Sequence, residues 1–130
     1  GFSLFQEKCG SCHQGSLFSD FSFRNNGLSA EFSQDAGRYE ISLLEEDKGK
    51  FKVPSLRNIA KTAPYMHHGQ IGTLEGVLDH YSSGVKQSTT LDPLLKKGIP
   101  MTATEKTQII AFLKTLTDND FIRNPIFAEQ

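Results

Sequence analysis

The sequence predicts an all-α domain in which three to five short helices are joined by long loops. Apolar residues recur at helical spacing in three segments, 3–12, 73–83 and 102–117. Glycine, proline, serine and asparagine interrupt the intervening segments, and none of these alternates apolar and polar residues over the length of an ordinary strand. The chain has 130 residues, which fits one domain, so we expect residues 1–130 to form a single unit.

Composition excludes several classes of protein. The 14 lysines and arginines nearly balance the 15 aspartates and glutamates, so the net charge of −1 gives no reason to expect nucleic acid or an anionic membrane as a partner. No apolar run approaches the roughly 18 residues of a transmembrane helix, and no signal peptide opens the chain. We therefore expect a mature chain, or one domain of a longer protein, without a membrane span.

The N-terminal part of the chain is expected to contain one helix and a long loop. The helix is predicted over 3–12, with Ser3 as its N-cap. A polar loop then runs from 14 to about 53, and a loop of this length usually wraps a ligand or carries a function. Within it, residues 51–53 are the best candidate for a short strand.

Two helices separated by a loop are expected next. Pro54 can open the first of them, at 55–61. The segment 62–72 is rich in glycine and proline and predicts a loop. Thr73 is then the expected N-cap of a helix that Gly84 ends.

The last helix has the clearest signals. Thr102-Ala103-Thr104-Glu105 is a capping-box pattern, which begins a helix. One face then carries an apolar stripe, formed by Ile109, Ile110, Phe112, Leu113 and Leu116. We expect this helix to reach about Thr117 and to pack its apolar face on the first helix.

The five residues Cys9-Gly10-Ser11-Cys12-His13 form a haem c attachment motif. Two thiols three residues apart lie on one helical turn, so each can add to a vinyl group on the same edge of one porphyrin. The following histidine then lies beneath the iron and supplies an imidazole nitrogen. The motif predicts one covalent haem c, held by Cys9, Cys12 and His13, and hence one-electron redox chemistry.

Three other interpretations of the motif are weaker. A thioredoxin-like dithiol needs a βαβ context and has no use for His13. A zinc site needs four ligands, but the chain has no second cysteine pair, and His67, His68 and His80 form only an irregular set. A structural disulfide gives the histidine no role, although it would apply if the chain were made without haem.

Beyond the motif, a succession of segments resembles a known family. The segments are Gly1-Phe2-Ser3-Leu4-Phe5, Phe51-Lys52-Val53-Pro54-Ser55-Leu56-Arg57-Asn58, Thr62-Ala63-Pro64-Tyr65-Met66-His67-His68-Gly69, Thr73-Leu74-Glu75 and Ile110-Ala111-Phe112-Leu113-Lys114-Thr115-Leu116-Thr117. In this order they are similar to the C-terminal haem domain of the bacterial dihaem cytochrome c peroxidases and the related MauG enzymes. The resemblance spans nearly the whole chain, and residues 14–50 are its least diagnostic part.

The resemblance implies a cytochrome c-like fold around one covalent haem and a parent protein with two haem domains. In that family the C-terminal haem receives electrons from a donor and passes them to a peroxidatic haem in the N-terminal domain, where hydrogen peroxide is reduced. This chain has one attachment motif, so it would be the C-terminal half of such a protein. We expect electron transfer as its role and peroxidase activity only in the parent protein.

An alternative hypothesis makes the domain reactive by itself. If the distal position of the iron is open or weakly held, the single-haem domain would react with peroxide directly. This alternative predicts a five-coordinate, high-spin ferric haem and peroxide turnover by the chain alone.

Three residues compete for the distal side of the iron, opposite His13. The resemblance places the ligand at Tyr81, where the peroxidases commonly have methionine and the MauG type has tyrosine. Met66 in a loop and Met101 before the last helix are the alternatives, because a thioether is also a common haem ligand. All three also have ordinary packing roles, since methionine fills gaps in cores and tyrosine buries its ring with the hydroxyl at the surface.

Other site residues follow from the resemblance or from charge. His67 matches a histidine that the family keeps near the haem. Arg57 is a candidate to pair with a haem propionate, since a buried carboxylate needs a cation or hydrogen bonds. Thr62 and Pro64 match positions whose carbonyls, in the family, help to hold calcium between the two domains. Calcium is therefore expected only in a full-length protein.

The expected partners are the N-terminal peroxidatic domain and a small electron donor, either a cytochrome c or a cupredoxin. Such contacts are small and transient. An apolar face left uncovered by a missing domain would also favour a homodimer. Covalent haem attachment takes place outside the cytoplasm, so we expect a periplasmic protein.

Overall fold

Five α-helices and one small sheet make up most of the regular structure of residues 1–128, the part of the chain that this computed structural model describes. The elements are α1 (Phe2–Cys9), β1 (Phe23–Arg24), α2 (Tyr39–Ser42), β2 (Phe51–Lys52), α3 (Leu74–Asp79), α4 (Ala103–Lys114) and α5 (Asn119–Arg123). The chain is thus helix-rich with few strand residues and long loops, as predicted. Within this part of the chain, no helix combines the length and the apolar character needed to cross a membrane.

The core lies where α1 and α3 pack against α4. Phe5 of α1 and Ile109 of α4 are its most buried large apolar residues, with 2% and 0% of their surface exposed. The other buried members of the cluster are Tyr65, Leu74, Leu78, Ile110, Leu113 and Leu116. Phe112 adds a ring contact with Phe5, at a centroid distance of 4.9 Å. The stripe predicted on the last helix is therefore core, and it packs on the first helix.

The start of α1 differs from its prediction. Gly1 is the N-cap, and its carbonyl accepts the Phe5 N–H at 2.9 Å. Ser3 lies inside the first turn, so its prediction as the cap is wrong. The Phe2 ring packs on Phe112 with centroids 5.2 Å apart. This contact gives an apolar reason for the helix to begin before Ser3.

The helix predicted at 55–61 is reduced to a single 3₁₀ turn, Ile59–Lys61. Asn58 has left-handed backbone, with φ 60°, and this conformation does not continue a right-handed helix. Its N–H instead donates to the Leu116 carbonyl at 3.0 Å, at the end of α4. A tertiary hydrogen bond has replaced a helical one, which the local sequence does not reveal.

The long loop segment folds back on the domain through a two-stranded antiparallel sheet. β1 pairs with β2, with Phe23 opposite Lys52 and Arg24 opposite Phe51. The short strand predicted near residue 51 is thereby confirmed, although its partner strand was not predicted. α2 and a 3₁₀ turn at Glu45–Asp47 lie in the same segment.

α3 is capped as predicted, and its last turn is wider than an α-helical turn. The Thr73 hydroxyl accepts a hydrogen bond from the Gly76 N–H at 3.0 Å. The helix then continues to Gly84 as a π-helix, which contains an extra residue per turn. His80 and Tyr81 open this π segment, and such segments are frequent at functional sites.

α5 was not predicted from the sequence. It begins after Asp118, whose carboxylate accepts the Phe121 N–H at 2.9 Å. Phe121 and Ile122 remain about half exposed, so the helix has only a weak apolar face. With one short amphipathic turn, periodicity alone gives little signal.

α4 begins at a complete capping box, as predicted. The Thr102 hydroxyl accepts the Glu105 N–H at 3.2 Å, and the Glu105 carboxylate accepts the Thr102 N–H at 2.7 Å. Two N–H groups that a helix start would otherwise leave unpaired are satisfied in this way.

Replacing Thr102 by alanine is expected to destabilise the domain by about 1 kcal/mol, because the Glu105 N–H loses its acceptor. Thr104→Ala is the matched control, since Thr104 is exposed inside the helix and alanine is the better helix former. Urea denaturation measures the free energy of unfolding of each variant. An equal loss in the two variants would contradict the capping role.

Candidate haem-binding site

The two cysteines and His13 lie on one continuous turn at the end of α1. Cys9 is the last residue of α1, and its carbonyl accepts the Cys12 N–H at 3.2 Å and the His13 N–H at 3.0 Å. Both cysteines are free thiols. One turn therefore carries two thiols and an imidazole at the spacing that haem c attachment requires.

Both thiols are protonated at neutral pH. Burial, together with the nearby Cys12 thiol, raises the pKa of Cys9 to about 11, although Lys8 acts in the opposite direction. Burial also raises the pKa of Cys12. A nucleophilic or thioredoxin-like cysteine needs a lowered pKa, so these surroundings do not favour a redox-active dithiol.

The imidazole of His13 is oriented by a backbone hydrogen bond. Its Nδ1 lies 2.8 Å from the Phe18 carbonyl oxygen, and because a carbonyl can only accept, Nδ1 donates the proton and Nε2 keeps its lone pair. Phe18 has left-handed backbone, with φ 52°. Burial lowers the pKa of His13, so the neutral ring, which is the metal-binding form, prevails at neutral pH.

Tyr81 is affected by burial and by one polar neighbour. Burial raises the pKa of its phenol, and the Asn26 side chain acts in the opposite direction. The phenol is therefore protonated at neutral pH while no metal binds it.

Asn26, in the long loop, contacts several of these groups. Its side-chain amide donates to the Met66 sulfur at 3.4 Å, and the same side chain lowers the pKa of the Tyr81 phenol. Its backbone carbonyl accepts a hydrogen bond from His80 Nε2 at 3.0 Å. Nothing in the sequence marks Asn26 as a site residue, because asparagine is common in polar loops.

The two methionines have different surroundings. Met66 is partly buried, has left-handed backbone with φ 72°, and holds the hydrogen bond from Asn26 on its sulfur. Met101 packs against the apolar core cluster that contains Ile109. Met66 thus has a polar contact with Asn26, whereas Met101 packs against the core.

Arg57 lies beside the turn that carries His13. Its Nε donates to the Ser16 carbonyl at 2.8 Å, and its guanidinium carbon is 5.3 Å from the centroid of the Phe18 ring. The residue is exposed, and a guanidinium has five N–H donors. Further donors are therefore available for a haem propionate.

His67 contacts a different set of residues. Its ring stacks on Phe51, with centroids 3.7 Å apart, and its Nε2 lies 3.5 Å from the Asp35 carboxylate. Burial and the neighbouring His68 lower the pKa of His67, while Asp35 raises it. His67 therefore contacts Phe51, His68 and Asp35.

Arg24 forms two ion pairs in the neighbourhood of the motif. Its guanidinium donates to the Asp20 carboxylate at 2.8 Å and to the Asp92 carboxylate at 2.7 Å. Although burial by itself raises the pKa of Asp20, hydrogen bonds from Ser22 and Arg24 lower it to about 2. Burial dominates the pKa of Cys12, and the charge of Arg24 partly offsets it. Nothing in the sequence marks Arg24 as part of this network, because its partner Asp92 is far from it along the chain.

The chain's own groups fit a covalently bound haem c. The turn offers two thiols, and a backbone carbonyl fixes His13 with Nε2 available, which is the usual orientation of a metal-binding histidine. Tyr81 supplies an oxygen donor. Neither a redox-active dithiol nor a zinc site at this turn would use this whole set of groups.

Replacing Asp20 by asparagine is expected to lower the free energy of unfolding by about 1–3 kcal/mol at pH 7, because charged hydrogen bonds to Arg24 are weakened. The folded-state pKa of Asp20, about 2, lies below its ordinary value of 3.8. The stabilisation is therefore fully present above about pH 4 and is lost as the pH falls through 2. Denaturation of both proteins from pH 7 to pH 2 measures the difference, with Asp120→Asn as an exposed control. A wild-type advantage that stays constant over this range would contradict the prediction.

Several known proteins are similar to this chain. Over 118 residues it is 39% identical to the methylamine utilization protein MauG of Methylorubrum extorquens, with 89% of this chain and 33% of that protein covered. Over 146 residues it is 33% identical to the cytochrome-c peroxidase IdrP2 of Denitromonas iodatirespirans, with 90% of this chain and 38% of that protein covered. Over 85 residues it is 41% identical to the cytochrome c peroxidase Ccp of Escherichia coli, with 60% of this chain and 18% of that protein covered.

One solved structure gives the same result for the fold. The crystal structure of a MauG-like protein associated with microbial copper homeostasis matches with a TM-score of 0.89 and 36% identity, covering 98% of this chain and 45% of that one. No family model matches the chain. The chain spans only about a third of the length of the first curated relatives it matches. It corresponds to one part of these longer proteins.

Proposed function

The chain belongs to the family of MauG and the bacterial cytochrome c peroxidases, and on that premise we propose that it is a haem c electron-transfer domain. The observation that carries the proposal is the His13 ring, which donates Nδ1–H to the Phe18 carbonyl on the same turn as two thiols. This arrangement leaves Nε2 available for iron. The parent protein, rather than this chain, would be the peroxidase.

In this proposal each residue of the site has a defined role. Cys9 and Cys12 hold the porphyrin through thioether bonds, and His13 Nε2 is the proximal ligand. When bound, haem c supplies an iron that takes up and releases one electron. Arg57 remains the proposed partner of a propionate, because its guanidinium lies over the ring of Phe18. A haem-contact role for His67 stays a prediction.

Tyr81 is the proposed distal ligand. Its phenol must lose a proton to bind iron as a tyrosinate, and burial opposes that loss. The Asn26 side chain acts in the opposite direction, because a hydrogen bond to the oxygen stabilises the anion. A hard anionic oxygen favours ferric iron, so the proposed site has a low reduction potential.

Met66 is the second candidate for the distal side. Its sulfur accepts a hydrogen bond from the Asn26 side chain, the same side chain that lowers the pKa of Tyr81. A thioether favours ferrous iron and would give a higher potential. Met101, which packs in the core, is the third candidate carried over from the sequence.

The proposed partners follow from the family. The domain would pass electrons from a small cytochrome c or cupredoxin to a peroxidatic haem in an N-terminal domain, where hydrogen peroxide is reduced. Calcium, held in part by the carbonyls of the exposed residues Thr62 and Pro64, would be a feature of the full-length protein. The compartment that suits covalent haem attachment is the periplasm.

Apolar residues on the surface support contact with another domain or with a second copy. Within residues 1–128, the C-terminal segment carries Phe121, Ile122, Ile126 and Phe127, each with about half or more of its surface exposed. Clusters of this kind are typical of interaction surfaces. We assign this one to the parent protein's other domain, and a homodimer of the isolated chain would use the same surface.

Replacing Tyr81 by phenylalanine in the haem-loaded chain is expected to convert a low-spin ferric absorption spectrum into a high-spin one, because the oxygen ligand is lost. The reduction potential is expected to rise at the same time. Absorption spectra of the oxidised and dithionite-reduced protein, with a redox titration, measure both changes. Tyr39→Phe is the matched control, since Tyr39 pairs with Lys48 at the surface of the long loop.

Met66→Leu separates the two candidate ligands. If Tyr81 is the ligand, this variant keeps the wild-type ligand-field spectrum. A far-red band typical of methionine-bound ferric haem that disappears only in Met66→Leu would move the ligand to Met66 and reject Tyr81.

The haem-loaded chain alone is expected to exchange electrons with a reduced small cytochrome c but to sustain no turnover of hydrogen peroxide, because its distal position is filled. Tyr81→Phe, which opens that position, is expected to gain turnover. Peroxide consumption measured against both proteins tests this. Turnover by the wild-type chain would favour the alternative of a domain that reacts with peroxide itself.

A further inference from the structure

Three metal-binding side chains converge on the surface of the domain. Asp35, His67 and His68 each offer one ligand atom, and these three atoms lie within 4.8 Å of one another. Two imidazoles and one carboxylate form a donor set that suits zinc and other divalent first-row metals. We propose that these residues form a separate metal site, which binds a divalent transition-metal ion without the use of Cys9, Cys12 or His13.

The ring of His67 is held in place by stacking. It lies parallel to the ring of Phe51, with centroids 3.7 Å apart and an angle of 9° between the planes. Only 17% of the side chain is exposed. Because the stacking occupies a face of the ring, the edge that carries Nε2 stays directed at Asp35, 3.5 Å away.

Asp35 is oriented as a ligand by its own loop. Its Oδ1 accepts the Gly37 N–H at 3.0 Å, so Oδ2 is the oxygen that faces His67. Gly37 forms a β-bridge with Lys50, the residue before Phe51. The loop that positions the Asp35 carboxylate is therefore linked to β2, whose Phe51 positions the His67 ring.

His68 completes the set from the exposed side. Its ring lies edge-on to His67, with centroids 4.3 Å apart and an angle of 68° between the planes. Metal–ligand distances of about 2.0–2.2 Å place tetrahedral ligand atoms roughly 3.4 Å apart. The pair His67–Asp35 already has this spacing, so binding requires a shift of about an ångström, mainly by the exposed His68.

The site opens into a cleft that gives an ion access to solvent. All three ligands line this cleft, together with Glu31, Gln34, Gln70 and Lys86 among other residues. Three protein ligands leave at least one coordination position for water or a small anion. A bound ion would also tie the 62–72 loop to the loop of Asp35, and binding to the folded state alone raises stability.

The test uses the haem-loaded chain, in which the cysteines and His13 are engaged, after dialysis against a chelator. Titration with Zn²⁺ alone by isothermal calorimetry is expected to show one saturable site per chain and no change in the haem spectrum. Asp35→Asn and His68→Gln are each expected to weaken binding at least about tenfold, as the loss of ligand-sphere groups does at other sites. Asp120→Asn, an exposed carboxylate in α5, is the control and is expected to bind as the wild type.

The expected thermal result is a Tm that rises with Zn²⁺ in the wild type and in Asp120→Asn but not in His68→Gln. Because His67→Gln also loses the stacking on Phe51, the Asp35 and His68 variants decide the test. Absence of a saturable site, or wild-type affinity in either Asp35→Asn or His68→Gln, would overturn the proposal.

Electron paramagnetic resonance with one equivalent of Cu²⁺ reports the ligands directly. Hyperfine coupling to two imidazole nitrogens is expected in the wild type and coupling to one in His68→Gln. A copper signal without imidazole coupling would overturn the assignment.

Discussion

The position of the attachment motif depends on the packing of α1 against α4. With eight residues, α1 is too short to be stable by itself, and it gains its conformation by burying Phe5 against Ile109. Cys9 ends this helix, and its carbonyl receives the backbone N–H of His13. Phe18 then serves both requirements, because its ring lies 5.8 Å from Phe5 while its carbonyl accepts the His13 Nδ1–H. The apolar core and the orientation of the His13 imidazole therefore depend on the same residue.

The opposite side of the site is held by polar contacts instead of apolar packing. Asn26 reaches Met66 with its side chain and His80 with its carbonyl. A buried polar network is stable only when its members are paired, and within residues 1–128 no buried side-chain nitrogen or oxygen lacks a hydrogen-bond partner. The long loop is therefore ordered by what it contacts, which explains how a segment with weak periodicity can supply a residue of the site.

Local signals predicted the elements that local chemistry controls. Thr73 and Thr102 cap their helices as expected, because a capping hydroxyl acts within three residues of its own position. The errors occur where a distant group prevails. Ser3 is not the N-cap, because Phe2 packs on α4 and the helix begins earlier. Residues 55–61 do not form the predicted helix, because the Asn58 backbone N–H donates to the Leu116 carbonyl after α4. α5 escaped prediction because its apolar face is short and half exposed.

The sequence by itself determined the turn that carries two thiols and an imidazole, and the family, because the spacing of Cys9, Cys12 and His13 is fixed by the chain itself and each matching segment is one continuous stretch of it. Tertiary structure decided the partners of those residues. Nothing local indicates that Asn26 reaches Met66 and His80, or that Asp35 faces His67 at 3.5 Å. Such contacts join loops far apart in the chain, and their geometry is set by the core and by the β1–β2 pairing. The sequence shows which side chains the protein has, whereas the tertiary structure decides which of them come into contact.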